Sequence, residues 1–324
     1  MANSPSVRSA AILWMAAVTA CVPDPDTNVA RAPDATAPAI THDDASTNDD
    51  AAAANEDAAA PSDDAAVAND DAQAAPADAR VAPDAAPRPD ASSGACDPLA
   101  APTPHAGLSE APGIGGCPAG MTPAGAICVD RYEAVLFELP ADTAWSPFQN
   151  PGMHRVRAAS IEGVTPQAYI SGRQAGAACT EAGKRICTDA EWLRACRGAN
   201  TQTYPYGTAR QVGVCNDHRA MHPAIELFGT SADWIWSELG NACIDQLPNS
   251  LAPTGSFTGC VTAEGVFDLM GNLHEWTADP NGTFRGGYYV DTVINGAGCN
   301  YATVAHDTGH WDYSTGFRCC ADHP

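Results

Sequence analysis

Three groups of side chains in this sequence have types and spacings that chemistry uses. The stretch FRGGYYVDTVINGAGCN, residues 284–300, follows an Arg-Gly-Gly turn with one thiol, Cys299. Thiolates suit soft metals, and a lone thiol is more simply half of a disulfide. Two histidine pairs, His218 with His222 and His306 with His310, are four residues apart. On a helix that interval would set both rings on one face for a metal ion. Neither segment looks helical, since one contains Gly309 and the other precedes Pro223, so exposed or capping rings are the expected reading. In DLMGNLHE the carboxylates Asp268 and Glu275 flank a Gly-Asn turn whose carbonyls can point inward. Such an all-oxygen set suits Ca²⁺; the alternative is a capped turn with Glu275 paired to an arginine.

The chain holds 13 cysteines, a number that points to an oxidising compartment and leaves one thiol over. That one is Cys21. Arg8 precedes an apolar run from Ser9 to Ala20, 12 residues long, too short to span a bilayer and right for a signal peptide. The run ends in Val18-Thr19-Ala20-Cys21, which resembles the lipobox of bacterial lipoproteins. Residues 1–20 are therefore expected to be a lipoprotein signal peptide, with Cys21 acylated and anchoring the chain. Val22 follows Cys21 where an Asp would favour inner-membrane retention, so outer-membrane sorting in a bacterial envelope is the expectation.

Residues 21–95 are rich in Ala, Asp and Pro. From 22 to 95 there are 16 acids against three bases, a net of −13, and no aromatic residue. Nothing there buries enough apolar area to offset ordering entropy, so a disordered acidic linker is expected. A flexible chain of that length spans about 50 Å on average. Residues 96–324 hold 23 acids and 12 bases, a net of −11. A formal charge of −23 overall excludes a nucleic-acid binder, which needs clustered Lys and Arg.

The elements that must position the candidate residues lie in 96–324. Two helices are predicted from their caps: Ser171 with Gln174 and a closing Gly183, then Thr188 with Glu191 and a closing Gly198. Ala175, Ala178 and Cys179 share one apolar face; Trp192, Ala195 and Cys196 share another. Short apolar stretches and dense Gly, Asn and Pro predict an irregular α+β domain stapled by up to six disulfides. Their candidates are Cys96, Cys117, Cys128, Cys179, Cys187, Cys196, Cys215, Cys243, Cys260, Cys299, Cys319 and Cys320. Cys187 and Cys196 flank one helix, more than about 10 Å apart along its axis, and cannot pair with each other. Cys319 and Cys320 face opposite sides of a strand and need different partners.

The segments CVDRYE, AGKRICTDAEWLRACRG, YPYG, CN, GVFDLMGNLHEWTAD, FRGGYY and GFRCC occur in that order between residues 128 and 320. Together they resemble the formylglycine-generating enzyme, or sulfatase-modifying factor, domain family over roughly residues 115–321. The resemblance implies an irregular C-type-lectin-like fold and a copper-dependent cysteine oxidase. It implies a calcium site at Asp268, the carbonyls of Gly271 and Leu273, and Glu275, with Asn216 in a possible second one. It also implies two catalytic thiols, and these fall on Asp291 and Gly296. Copper is not expected, and Cys299 is expected to be half of a structural disulfide. Arg185, Glu191, Trp192, Trp276, Arg285 and Arg318 are expected to be structural pins. The expected function is a catalytically degenerate, envelope-anchored domain that binds a peptide, glycan or envelope protein. Its groove would be formed by Arg285, Tyr288, Tyr289, Asp291, Trp311 and Tyr313. The alternative is an oxidase or other enzyme with a rearranged site at Cys299, His306 and His310.

Overall fold

The structure, a computed structural model, describes Cys96, residues 105–304 and residues 306–324. The expected signal peptide, Cys21 and the acidic linker lie outside the described residues.

In chain order the first strands are β1 (Met121–Ala124), β2 (Ile127–Asp130), β3 (Ala134–Glu138), β4 (Thr143–Ala144) and β5 (Val156–Ser160). Helix α1 (Gly172–Glu181), β6 (Arg185–Ile186), α2 (Asp189–Arg197) and α3 (Pro223–Phe228) come next. The last strands are β7 (His274–Trp276), β8 (Phe284–Arg285), β9 (Ala302–Thr303), β10 (Thr315–Phe317) and β11 (Cys319–Asp322). They form three small sheets, ordered β1-β2-β11-β6, β10-β7-β8-β9 and β4-β3-β5. This is the α+β, loop-rich architecture that the sequence predicts.

Both predicted capping boxes are present. The Ser171 side chain accepts from Gln174 N and the Thr188 side chain from Glu191 N, while Gln174 and Glu191 reach back to the cap backbones. Gly183, at φ +70°, follows the α1 cap residue Ala182, and Gly198 closes α2 at φ +60°. The predicted faces are the buried ones: Ala175, Ala178 and Cys179 on α1, and Trp192, Ala195 and Cys196 on α2. The first packs with Leu136, Ala158 and Phe317, the second with Val129, Val266 and Leu269.

Strands of two to five residues give few ladder bonds, and covalent links take over part of their work. Six disulfides join Cys96–Cys243, Cys117–Cys128, Cys179–Cys319, Cys187–Cys320, Cys196–Cys299 and Cys215–Cys260. Cys187 and Cys196 do not pair with each other, and the adjacent Cys319 and Cys320 part to α1 and to the residue before the α2 cap. Four of these links close loops of more than 100 residues. Loops of that size give each link up to about 4–5 kcal/mol in the chain-entropy account.

The expected pins are in place. Arg185 holds Glu191 through two bonds of 2.6 and 2.7 Å and also reaches Asp322. Arg285 holds Asp189 through its Nε and Nη2. Trp276 donates to Ile170 O at 2.9 Å.

Candidate functional site

The loop after β8 decides what the Arg-Gly-Gly segment can do. Gly286 and Gly287 sit at φ +87° and +70°. A Cβ on Gly287 would lie 2.3 Å from Asp291 O, so only glycine fits this turn. Tyr288 and Asp291 then exchange two backbone hydrogen bonds, of 2.9 and 3.0 Å. The Asp291 carboxylate caps the next turn, accepting from Val293 N at 3.0 Å and Ile294 N at 3.1 Å. At the position implied for a first thiol there is thus a turn-capping carboxylate. Gly296, the position implied for the second, has φ +117°, and a Cβ there would lie 2.7 Å from Asn300 O. No side chain fits without moving the backbone.

Cys299 is fully buried and bonded to Cys196, which ties α2 to the loop. It is not a free thiol, and neither Cys319 nor Cys320 can join it in a rearranged thiolate site. The donors present therefore do not fit copper(I): among the described residues every cysteine is in a disulfide.

The histidines give no chelating set either. The His306 and His310 rings stack at 3.8 Å with only 14° between their planes. Nearly parallel rings keep their in-plane lone pairs in separate layers, where one ion cannot serve both. Apart from Cys117, Cys128 and His323, no three His, Cys or carboxylate donors among the described residues lie within 4.8 Å of one another. Cys117 and Cys128 are themselves a disulfide. His218 is half exposed beside Asp217.

His222 caps α3 with its Nδ1, which accepts from Ala224 N. The adjacent Pro223 stands at the first helical position, so His222 is the capping ring that the sequence reading expects. With Nδ1 accepting, Nε2 carries the proton and donates to Tyr313 Oη at 2.8 Å. Tyr313 in turn lies 3.5 Å from the Tyr288 hydroxyl. His274, which sequence reasoning passed over, is buried against Phe284, Tyr288 and Tyr301. Its Nδ1 has no partner, and burial pushes its pKa down to about 3.

The six expected groove residues divide. Tyr289 and Tyr313 belong to the core, a correction: the Tyr289 hydroxyl turns inward to Asp245 Oδ1 at 2.8 Å. Tyr288, at the start of the turn closed with Asp291, is left half-buried at the surface. Arg285 is held by Asp189 and Asp291 by its turn. Trp311 is 40% exposed, lying over Gly240.

The side chains among the expected calcium ligands are held by protein partners. Arg318 donates to Glu275 through Nε at 2.6 Å and Nη2 at 2.5 Å, and Trp192 Nε1 adds a third bond at 2.7 Å. Asp268 Oδ2 accepts from Gly255 N at 2.7 Å. Asn216 accepts from Asn272 N through its carbonyl and donates to Ser250 O and Asn272 Oδ1, clamping the turn of Gly271 and Leu273. A guanidinium bidentate on Glu275 occupies the place a cation would need, so this set does not fit Ca²⁺. Glu133, also missed in the sequence, completes the group by accepting from Leu273 N at 3.1 Å and Asn272 Nδ2 at 2.5 Å. Glu133, Asp268 and Glu275 face one guanidinium. Burial, then its charged neighbours, push Glu133 well up, and burial lifts Asp268 to about 6.

Comparison with known proteins places this geometry. The family model described as a sulfatase-modifying factor enzyme 1-like domain matches residues 127–323. The inactive C-alpha-formylglycine-generating enzyme 2 of Mus musculus is 30% identical over 168 residues, covering 48% of this chain and 49% of that protein. The formylglycine-generating enzyme of Mus musculus is 29% identical over 183 residues, covering 49% and 44%. The chain thus spans about half the length of the curated relatives it matches. Among solved structures, PvdO from Pseudomonas aeruginosa is 14% identical with a TM-score of 0.38, over 60% of this chain and 80% of that one. Relatives named as enzyme and as inactive both match, so the residues themselves must decide between them.

Proposed function

Because the chain belongs to the sulfatase-modifying factor enzyme 1-like domain family, we propose that it is a non-oxidising member that binds a ligand on the face around Tyr288 and Trp311. The observation that carries this reading is the loop of residues 288–299: a capping Asp291, a Gly296 with no room for a side chain, and Cys299 bonded to Cys196. An oxidase of the family kind needs two thiolates for a soft metal, and this loop offers none. The ligand is a peptide, a glycan or a protein of the envelope. The expected acylation of Cys21 would anchor the chain in a bacterial outer membrane, with the acidic linker holding the head away from the bilayer. Mass analysis of the mature N-terminus tests the anchor, and an unmodified Cys21 would remove it.

The activity is tested on the full chain with a cysteine-containing peptide, air and copper(I), reading the mass change of cysteine to formylglycine. No conversion and no stoichiometric copper are expected. Turnover with one copper held per head would overturn the reading.

A further inference from the structure

Basic side chains are scarce along the stretch that builds this face. Between Arg219 and Arg318 the sequence runs 98 residues with eleven acids and a single base, Arg285. The two bases that bound or interrupt this stretch near the face, Arg219 and Arg285, are neutralised and largely covered. Arg219 pairs with Glu226 at 2.8 Å and Arg285 with Asp189. Their side chains are 5% and 12% exposed.

The same stretch brings aromatic rings together at the surface. Trp311 lies over Gly240 and is exposed. Tyr313 N donates to Leu239 O, which fastens the Trp311 segment to the turn after the 3-10 helix Asp233–Ser237. That short helix carries Trp234 and Trp236, both half-buried, and Trp236 meets the His222 ring edge-on at 4.9 Å. Through His222 and Tyr313 the patch continues to Tyr288. Asp233 on the short helix and Asp307 ahead of Trp311 are exposed. A third base, Arg173, reaches Asp307 at 3.7 Å with both side chains open to solvent, a pair that water and salt screen.

Half-buried π-faces beside open carboxylates, with no free base between Arg219 and Arg318, form a surface for a cation. Tryptophan attracts guanidinium and ammonium groups over its face, and carboxylates add charge complementarity. Like charge argues against the two occupants nearest to hand: the linker carries a net of −13 and a second head a net of −11. Resting on the binding role proposed above, we infer that the face of Trp234, Trp236, Trp311 and Tyr288 takes a basic peptide segment, one that presents Lys or Arg side chains and needs no cysteine.

The test uses the full-length protein and three synthetic decapeptides of matched length: Lys/Arg-rich, Glu-rich, and neutral Ser/Gly. A neutral oligosaccharide forms a fourth arm. Calorimetry and tryptophan fluorescence read binding at about 0.15 M salt, where weak surface attraction is screened. The basic peptide is expected to bind at least tenfold more tightly than the other three and to change tryptophan emission. Trp311→Ala should weaken it at least fivefold, and Asp233→Asn combined with Asp307→Asn by a comparable factor. Equal affinity for basic and neutral peptides overturns the inference, and so does preferred binding of the oligosaccharide. Basic-peptide binding unchanged in Trp311→Ala also overturns it, since the acidic linker alone would then account for the attraction. Thiol and copper contents of the same preparation separate the two proposals. Paired cysteines without peptide binding sink only this inference, whereas two reduced cysteines with bound copper sink the non-oxidising reading beneath it.

Discussion

At the scale of single residues, the account turns on where a side chain has room and what holds it. Gly296 stands at φ +117° with the Asn300 carbonyl where a Cβ would go. Gly296→Ala is expected to cost on the order of 1–3 kcal/mol by denaturant unfolding; unchanged stability would contradict the geometry. Glu275→Gln takes from the fully buried Arg318 the one carboxylate its guanidinium is bonded to, and a loss of about 3–5 kcal/mol is expected. Asp268 titrates with a sign of its own. Its carboxyl rises from 3.8 in the open chain to about 6 when buried, so the fold favours the protonated form. The stability this contributes is fully present below pH 3.8 and is lost as pH rises through about 6. Asp268→Asn should flatten unfolding free energy over that window, and an unaltered pH profile would remove Asp268 as the cause. The displaced thiols were legible in the sequence, because Asp291 and Gly296 are simply not cysteines. The inward turn of Tyr289 was not, because its partner Asp245 lies 44 residues away in the chain. Glu133 was equally hidden, since it reaches Leu273 N across 140 residues.

At the scale of elements, local signals were readable where they are local. Ser171 with Gln174 and Thr188 with Glu191 each act within one helical turn, and both capping boxes form. The third helix, α3, is not evident from the sequence although its signal is present: Pro223 opens it, and a proline can equally mark a stop. Disulfide partners were beyond reach because most pairings close long loops. Only the exclusions that helix rise and strand alternation impose could be drawn, and both hold. Cys196–Cys299 closes a separation of 103 residues and joins α2 to the loop that carries Asp291. Replacing both cysteines with serine should lower stability by up to about 4–5 kcal/mol and leave the oxidase activity at zero. Unchanged unfolding free energy in that variant would contradict a stabilising role for the link.

For the whole molecule, the composition divides the chain into an acidic, aromatic-free segment and a cysteine-rich head, and the structure describes the latter. The absence of Lys and Arg between 220 and 317, Arg285 excepted, was in plain view in the sequence. Its meaning needed the fold, which gathers Trp234, Trp236 and Trp311 along that stretch and buries Arg219 in its ion pair. Calcium belongs to the same scale, because an ion joining distant loops would stabilise the head as a unit. With Glu275 held by Arg318, millimolar Ca²⁺ or a chelator should shift the melting temperature by less than about 1 °C, within what a surface effect gives. The most direct test of the central claim is a thiol count on the denatured, unreduced head, residues 96–324. The account predicts none, with twelve appearing only after reduction, since all six pairs are bonded. Two thiols before reduction, one of them Cys299, accompanied by a bound copper, would contradict it.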